Sequence, residues 1–407
     1  MKTKIALATA LATLTSLPAM AADCPIKVGV LHSLSGTMAI SETTLKDTML
    51  MLIDQQNAKG GVLGCQLEAV VVDPASDWPL FAEKARELLT VQDVDVIFGN
   101  WTSVSRKSVL PVIEELNGLL FYPVQYEGEE SSKNVFYTGA APNQQAIPAT
   151  DYLLEELGIE KFALLGTDYV YPRTTNNILE SYLESKGVAE DDIFVNYTPF
   201  GHSDWSKIVA DVAALGADGK KVGVISTING DANIGFYKEL SAAGISADDI
   251  PVVAFSVGEE ELSGLDTSNL VGHLAAWNYF QSADTPANAE WIAAWKDRMG
   301  KDRVTNDPME AHYIGFNMWV NAVEAAGSAD VDAVRTAMYG QEFPNLTGGT
   351  AVMLPNHHLA KPVLIGEITA DGQFDIISAP LTSDWKDLGC GMYNTETKSC
   401  VQILSNY

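Results

Sequence analysis

The feature that most constrains the fold is an alternation of short apolar runs with longer amphipathic segments, which occurs twice along the chain. The runs have the length of β-strands, and they are 26–33, 66–72, 94–100, 119–123 and 135–139, then 161–166, 193–197, 221–227, 251–255 and 271–277. A strand followed by a helix, repeated, predicts a parallel sheet covered by helices on both faces. We therefore expect an α/β protein with two doubly wound parallel sheets.

The segments between the runs carry the signals of amphipathic helices. One such helix begins near Ser41 and ends at Gly60-Gly61, since glycine is the usual residue just after a last helical turn. Its apolar face carries Leu45, Met49, Leu52 and Ile53. The segment 289–326 predicts two further helices, which we expect to pack on one of the two sheets.

The N-terminus predicts export. Lys2 and Lys4 precede an apolar stretch, Ile5 to Leu14, and small residues follow near Ala21, as in a secretory signal peptide. The stretch is too short to span a membrane, which takes about 20 apolar residues. We expect residues 1–21 to be removed and the mature protein to lie in the periplasm. A lipid anchor on Cys24 is the alternative, disfavoured because Asp23 precedes that cysteine.

Charge and cysteine content narrow the function classes. With 53 acidic and 25 basic residues, the net charge of −28 disfavours binding to nucleic acid or to anionic membrane surfaces.

The 4 cysteines of an exported chain suggest two disulfides, for which three connectivities exist. We favour Cys24–Cys65, where two neighbouring strands begin, and Cys390–Cys400, which closes a short C-terminal loop.

Catalytic and metal-binding motifs are missing from the sequence. The segment Ser103 to Lys107 offers hydroxyls beside cationic residues. The Gly-x-Ser-x-Gly motif is not met at 32–36, which reads His-Ser-Leu-Ser-Gly and lacks the first glycine and the central serine. The 6 histidines are scattered, and we expect the adjacent His357 and His358 to sit on a solvated loop. No metal motif or phosphate-binding loop is present, so we expect neither an enzyme nor a cofactor.

Three of the strand-like runs end in clusters of aromatic and hydroxyl residues, at 99–103, 122–128 and 167–173. Because the carboxyl ends of parallel strands line the ligand crevice, these side chains can converge on one small molecule. The second sheet adds acceptors at Asn229 and Asp231, and at Glu259 after the next strand. Structural roles are the alternative for each residue: Trp101 as core, Thr102 or Ser103 as a helix cap, and Glu259 at a helix start.

With these motifs in view, the chain resembles the substrate-binding proteins of urea and short-chain amide ABC importers, within the branched-chain amino acid binding superfamily. The resemblance covers nearly the whole mature chain. Its most specific segments are 31–39, 101–103 with Arg106-Lys107, 121–128, 141–145, 276–280 and 307–311.

The resemblance implies a type I periplasmic binding protein, in which two Rossmann-like lobes are joined by three crossovers and close over a ligand. One lobe would comprise 22–143 plus about 280–348, and the other 144–279 plus about 349–407. The implied partners are a small neutral ligand and the membrane permease of an ABC importer. The implied ligand shell is Trp101, Ser103, Tyr122, Tyr169 and Tyr171, with Asn229, Asp231 and Glu259 as contributors from the second lobe.

Two positions bear on the ligand. Tyr171 replaces the Phe often found there in the urea branch, which leaves open a broader amide preference. Val124 stands where related amino-acid binders can carry Thr. The missing hydroxyl argues against a zwitterionic amino acid as the ligand. We expect urea, with short-chain amides, branched-chain amino acids or an amide-sensing regulator as alternatives. The signal peptide argues against the regulator.

Overall fold

The first series of apolar runs forms one parallel sheet in the computed structural model, which describes residues 24–263, 265–379, 392–394 and 399–401. Its strands are β1 (Ile26–Leu31), β2 (Leu67–Val72), β3 (Val96–Gly99), β4 (Leu120–Tyr122) and β5 (Val135–Tyr137). Their order is β2-β1-β3-β4-β5, and every pair is parallel. The first predicted sheet is therefore confirmed.

Three helices connect these strands, and two of them begin at a side-chain cap. They are α1 (Ala39–Ala58), α2 (Trp78–Thr90) and α3 (Ser103–Glu115). The Asp77 carboxylate accepts a hydrogen bond from the backbone N–H of Leu80 at the start of α2, and the Thr102 hydroxyl accepts one from Ser105 at the start of α3. Helix α1 buries the predicted apolar face and ends before Gly60.

The second series forms the other sheet. Its parallel strands are β6 (Lys161–Thr167), β7 (Ile193–Thr198), β8 (Val222–Thr227), β9 (Val252–Ala254) and β10 (Leu274–Trp277). The helices around them are α4 (Ala146–Asp151), α5 (Val170–Ser185), α6 (Ser206–Leu215), α7 (Ala232–Ala242) and α8 (Glu259–Leu262). Short 3₁₀ or π-helical turns lie at Pro142–Gln144, Tyr152–Glu156, Glu190–Asp192, Gly216–Asp218 and Thr267–Asn269.

After β10 the chain returns to the first lobe. There α9 (Pro286–Met299), α10 (Asp307–Ala326) and α11 (Val331–Met338) follow one another. Trp319 of α10 contacts Phe98 of β3 edge to face, with ring centroids 6.1 Å apart, inside one core that also holds Trp295. The two helices predicted within 289–326 are thus confirmed, and they pack on the first sheet.

The last described strands are divided between the lobes. They are β11 (Glu342–Pro344), β12 (Thr350–Met353), β13 (Leu359–Ala360), β14 (Leu364–Ile368), β15 (Phe374–Ser378), β16 (Met392–Asn394) and β17 (Ser399–Val401). Strands β11, β12 and β13 form a small sheet beside β5, where His358 bridges Tyr137, whereas β14 and β15 extend the second sheet from β10. Strands β16 and β17 pair with each other. The lobe boundaries given above stay a prediction.

Three crossings between the lobes are joined by one side chain. They lie between β5 and β6, between β10 and α9, and between β13 and β14. The Asn278 amide donates to the carbonyl oxygens of Gln144 (3.2 Å) and Pro362 (2.7 Å), so it connects all three. Its backbone N–H donates to the buried Asp307 carboxylate at 2.8 Å. The crossings therefore form one hydrogen-bonded unit on which the lobes can pivot.

A disulfide joins Cys24 to Cys65, the pairing that we favoured from the sequence. Cys390 lies outside the described residues, so the predicted Cys390–Cys400 bond stays a prediction. The predicted signal peptide, residues 1–21, also lies outside them. Within the described ranges, no helix combines the length and the apolar character that crossing a membrane requires.

Candidate ligand-binding cleft

The carboxyl ends of the two sheets face each other, and side chains from opposite lobes meet there. The Trp101 indole N–H, after β3, donates to Asn229 Oδ1, after β8, at 3.4 Å. The Gln125 amide, after β4, donates to Ser256 Oγ, after β9, at 2.8 Å. Since each contact joins an element of one lobe to an element of the other, the cleft lies between these strand ends.

Trp101 and Tyr122 form the first-lobe wall of the cleft. The Tyr122 hydroxyl donates to the backbone carbonyl of Trp101, and both side chains are buried. Burial raises the pKa of Tyr122, and the nearby Arg106 guanidinium opposes this only in part. Tyr122 is therefore a neutral phenol, and its hydroxyl holds the loop after β3 in place.

A buried ion cluster lies behind this wall. The Arg106 guanidinium, on α3, donates to Glu127 at 3.2 Å and to Glu130 at 2.8 Å. It also stacks over the rings of Tyr122 (4.6 Å) and Tyr126 (4.4 Å). Burial alone would lower the pKa of Arg106, but Glu130 and Glu127 raise it. The buried cation is therefore charged and is paired with two carboxylates.

Ser103 belongs to the same cluster. Its hydroxyl donates to Glu127 and accepts from Arg106 at 3.2 Å. Burial would raise the pKa of Glu130, but Arg106 and Lys107 together hold it down to about 2. The Ser103 hydroxyl therefore lies between the carboxylate of Glu127 and the guanidinium of Arg106 and belongs to the buried ion cluster.

The second-lobe wall is made by Tyr169 and Tyr171, at the start of α5, with ring centroids 6.2 Å apart. Burial raises the pKa of Tyr169, and Tyr122 and Tyr171 add to the rise, so Tyr169 is a neutral phenol. Tyr171 is buried with its hydroxyl beside the polar side chains of Gln125 and Ser256, which lower its pKa against the effect of burial, although no hydrogen bond to either has complete geometry.

Gln125 also presents an unpaired atom. Because its amide nitrogen donates to Ser256, its Oε1 is free, and that oxygen is buried without a partner. A buried acceptor without a hydrogen bond costs about 1–3 kcal/mol. The cleft thus contains a free carbonyl oxygen next to a free hydroxyl, and both can accept N–H groups.

Close approach of the lobes is possible at Asn229-Gly230. The Asn229 amide donates to the Thr227 carbonyl at 3.0 Å, which turns its oxygen toward Trp101. Gly230 has φ +69°, and a Cβ on it would lie 2.8 Å from the carbonyl oxygen of Thr37 in the other lobe. A side chain at this position would therefore hold the lobes apart.

The structure brings six of the eight predicted ligand residues to the two walls of the cleft or directly behind them. They are Trp101, Ser103, Tyr122, Tyr169, Tyr171 and Asn229. Asp231 is exposed at the start of α7. Glu259 accepts from the backbone N–H of Gln281 at 2.6 Å, and burial raises its pKa to about 8. No contact in the described structure links Asp231 or Glu259 to the aromatic walls, and the ligand roles of all eight residues stay predictions.

Sequence reasoning did not single out Gln125, Ser256 or the Arg106 cluster. Gln125 and Glu127 both lie in the strand-end segment 122–128, so alternate positions after the strand were the available signal. Ser256 follows β9 directly and was open to the same strand-end argument.

The prediction of a solvated loop for His357 and His358 is wrong. Both imidazoles are buried, because they stack on Phe136 and Tyr137 at centroid distances of 4.3 Å and 4.6 Å. Burial lowers the pKa of each histidine to about 4, so both are neutral. Among the described side chains, no group of three or more His, Cys, Asp or Glu is arranged to hold a metal ion.

Two doubly wound lobes, three crossings and a buried cleft at the facing sheet ends define a type I periplasmic binding protein. The periplasmic binding protein domain family matches residues 26–383, and the chain belongs to that family. Membership implies a periplasmic solute-binding protein of the kind that serves ABC transporters.

Relatives matched over most of their length are binding proteins. The Leu/Ile/Val-binding protein BraC3 of Rhizobium johnstonii is 26% identical over 367 residues, which cover 86% of this chain and 92% of BraC3. A limonene hydroxylase of Geobacillus stearothermophilus is 36% identical over 106 residues, but these span only 26% of this chain and 19% of that protein. The match to the hydroxylase is therefore partial.

Solved structures share the fold. The leucine-binding protein LivK of Thermotoga maritima superposes with a TM-score of 0.75 at 16% identity, covering 88% of this chain and 99% of LivK. A solute-binding protein of Rhodopseudomonas palustris in complex with 4-hydroxybenzoate gives a TM-score of 0.75 at 20% identity, over 87% of this chain and 96% of that protein. Both are similar to this chain in architecture.

Proposed function

We propose that this protein captures urea in the periplasm by closure of its two lobes and delivers it to the permease of an ABC importer. The observation that carries the proposal is the Gln125 Oε1 atom, which is buried in the cleft without a hydrogen-bond partner and lies beside the Tyr171 hydroxyl. Urea is small, planar and neutral, and its two amino groups supply four N–H donors. A ligand of this kind satisfies both groups at once.

The charge of the cleft supports a neutral ligand. Arg106 is the cation next to the aromatic wall, and Glu127 and Glu130 already neutralise it. A free amino acid would need donors for its α-carboxylate, and Val124 supplies no hydroxyl for this. The aromatic faces of Trp101 and the tyrosines suit a flat molecule.

A branched-chain amino acid is the competing ligand, because the relatives with the longest matches are Leu/Ile/Val-binding proteins. Short-chain amides compete on chemical grounds, since acetamide and formamide carry one amino group instead of two. The proposal predicts that urea binds more tightly than either amide, because urea can donate to the two groups from two separate amino groups, whereas an amide must serve both from one nitrogen.

Calorimetric titration of ligand-free mature protein with urea, formamide, acetamide and leucine tests this ranking. Urea concentrations must stay well below those that unfold proteins. The proposal would be supported if urea bound one-to-one with a higher affinity than the amides and leucine did not bind. Leucine binding without urea would overturn it and make this an amino-acid binder.

Tyr171→Phe tests the site. Removing the hydroxyl should weaken urea binding about tenfold, by the loss of one ligand hydrogen bond. Tyr237→Phe is the matched control, because Tyr237 is also buried in the second lobe with an unpartnered hydroxyl but belongs to α7 and packs into the core of that lobe. Equal urea affinity in the two variants would remove Tyr171 from the ligand shell.

A further inference from the structure

A second contact between the lobes lies outside the aromatic cleft, where α8 meets the start of α1. The Ser41 hydroxyl, on α1, donates to Glu261 Oε1, on α8, at 2.6 Å. The other oxygen, Oε2, accepts from the backbone N–H of Gly258 at 3.0 Å. Both side chains are buried. The Gly258 bond fixes the carboxylate within its own lobe, so its free oxygen is already aimed at Ser41.

Glu260, next to Glu261 on α8, makes a second and longer contact with the first lobe. Glu260 Oε1 lies 3.6 Å from the guanidinium of Arg303, between α9 and α10. Arg303 in turn donates to the Thr44 hydroxyl of α1 at 3.2 Å. Helix α8 is therefore held to the first lobe at two adjacent points, of which the Ser41–Glu261 hydrogen bond is the shorter and more buried.

We propose that the Ser41–Glu261 hydrogen bond is a latch that holds the lobes closed after a solute has entered, with Glu261 as a positioning residue that does not touch the solute. Opening the lobes separates α8 from α1 and breaks this bond. The proposal rests on capture by lobe closure and is independent of whether the solute is urea.

A latch of this kind affects the dissociation rate of the solute more than its association rate. The hydrogen bond forms only as the lobes meet, after the solute has reached the cleft, so its loss should raise the dissociation rate and leave the association rate nearly unchanged. We expect Ser41→Ala to speed dissociation about tenfold, with an association rate within about twofold of the wild type.

The chain offers a matched control. Ser132 donates its hydroxyl to Glu114 Oε1 at 2.7 Å, which is the same kind of hydrogen bond, but both residues belong to the first lobe. Ser132→Ala should lower stability without changing the dissociation rate. A purely structural role for Ser41 would make the two variants behave alike.

The experiment measures association and dissociation by stopped-flow tryptophan fluorescence, with the tightest binder among urea, acetamide, formamide and leucine as probe. The wild type, Ser41→Ala, Glu261→Ala, the double variant and Ser132→Ala are compared. We expect both latch variants to release the probe faster and the double variant to add nothing further, since either change removes the same bond.

Three outcomes would overturn the latch: a wild-type dissociation rate in Ser41→Ala, equal rates in Ser41→Ala and Ser132→Ala, or additive effects in the double variant. If leucine binds and urea does not, the urea proposal fails, and the dissociation rates of leucine then test the latch.

Spin labels on Glu83→Cys and Lys238→Cys, both exposed and on opposite lobes, provide a readout that does not depend on which ligand binds. With the probe bound, Ser41→Ala should increase the fraction of long inter-label distances, and an unchanged distribution would contradict the proposal.

Discussion

Trp101 donates its indole N–H to Oδ1 of Asn229 across 3.4 Å, and this contact joins the loop after β3 to the loop after β8. The two residues are 128 positions apart, so only the meeting of the lobes brings them together. Trp101→Phe keeps an aromatic wall but loses this donor. We expect about threefold to tenfold weaker solute binding, as for one neutral hydrogen bond, measured by calorimetry. Trp101→Ala should weaken binding more, while circular dichroism shows a folded protein.

Trp319→Phe is the control for that prediction. The Trp319 indole is equally buried in the first lobe, but its N–H has no hydrogen-bond partner and its ring packs on Phe98 and Phe316. The substitution should leave the solute affinity unchanged. If both variants lose affinity to the same degree, the effect comes from the core and Trp101 has no special place in the cleft.

Arg106→Met should destabilise the whole protein. It would leave Glu127 and Glu130 buried without their cation, and breaking one side of a buried ion pair costs about 3–5 kcal/mol. The free energy of unfolding should be measured with guanidinium chloride, because urea is the proposed ligand. Lys107→Met removes a partner of the same Glu130, but its side chain is 38% exposed, so we expect a loss under about 1 kcal/mol. Equal losses in the two variants would contradict a special role for the buried cation.

The fold could be predicted from the sequence because its signals are local. Each apolar run that predicts a strand contains one, and Gly60 ends α1 through its own backbone freedom. The placement of Tyr122, Tyr169 and Tyr171 at the cleft follows from one rule, that parallel strands present their carboxyl ends together.

The partners across the cleft could not be predicted, because they depend on distances between segments far apart in sequence. The acidic run 259–261 was noticed at its first residue, yet Glu261 is the one that reaches Ser41. Successive residues on a helix point about 100° apart, so the choice depends on how α8 is rotated against the other lobe. The burial of His357 and His358 could not be predicted for a similar reason, because the rings that cover them belong to β5, far away in the sequence.

The Cys24–Cys65 disulfide should stabilise the first lobe. It ties Cys24, two positions before β1, to Cys65, two positions before β2, across a separation of 41 positions. By the loop-closure argument, such a crosslink contributes about 4 kcal/mol by restricting the unfolded chain. We expect the Cys24→Ala/Cys65→Ala variant to unfold at a lower guanidinium chloride midpoint but to bind its solute normally when folded. An unchanged midpoint would contradict the prediction.

Solute affinity should depend on pH through Glu260. Burial raises the pKa of this carboxyl from 4.5 to about 7 in the closed protein, with Arg303 acting in the opposite direction and Glu261 and Asp47 adding to the rise. Asp47 and Arg303 belong to the first lobe, so opening exposes Glu260 and returns its pKa toward 4.5. The protonated carboxyl favours closure, and this stabilisation is complete below pH 4.5 and lost as the pH rises through 7. Binding should therefore be tighter at pH 6 than at pH 8, by at most about tenfold.

Titration calorimetry in buffers of different ionisation enthalpy checks this directly, because it counts the protons taken up on binding. The wild type should take up protons between pH 6 and 8. Glu260→Gln should show a weaker pH dependence and a smaller uptake, because burial between the lobes also raises the pKa of Glu261. Glu180→Gln serves as the control: burial also raises the pKa of that carboxyl, but Glu184 and Glu190, which add to the rise, lie in the same lobe, so closure leaves it unchanged. Proton uptake that persists undiminished in Glu260→Gln would place the titrating group elsewhere in the closing interface.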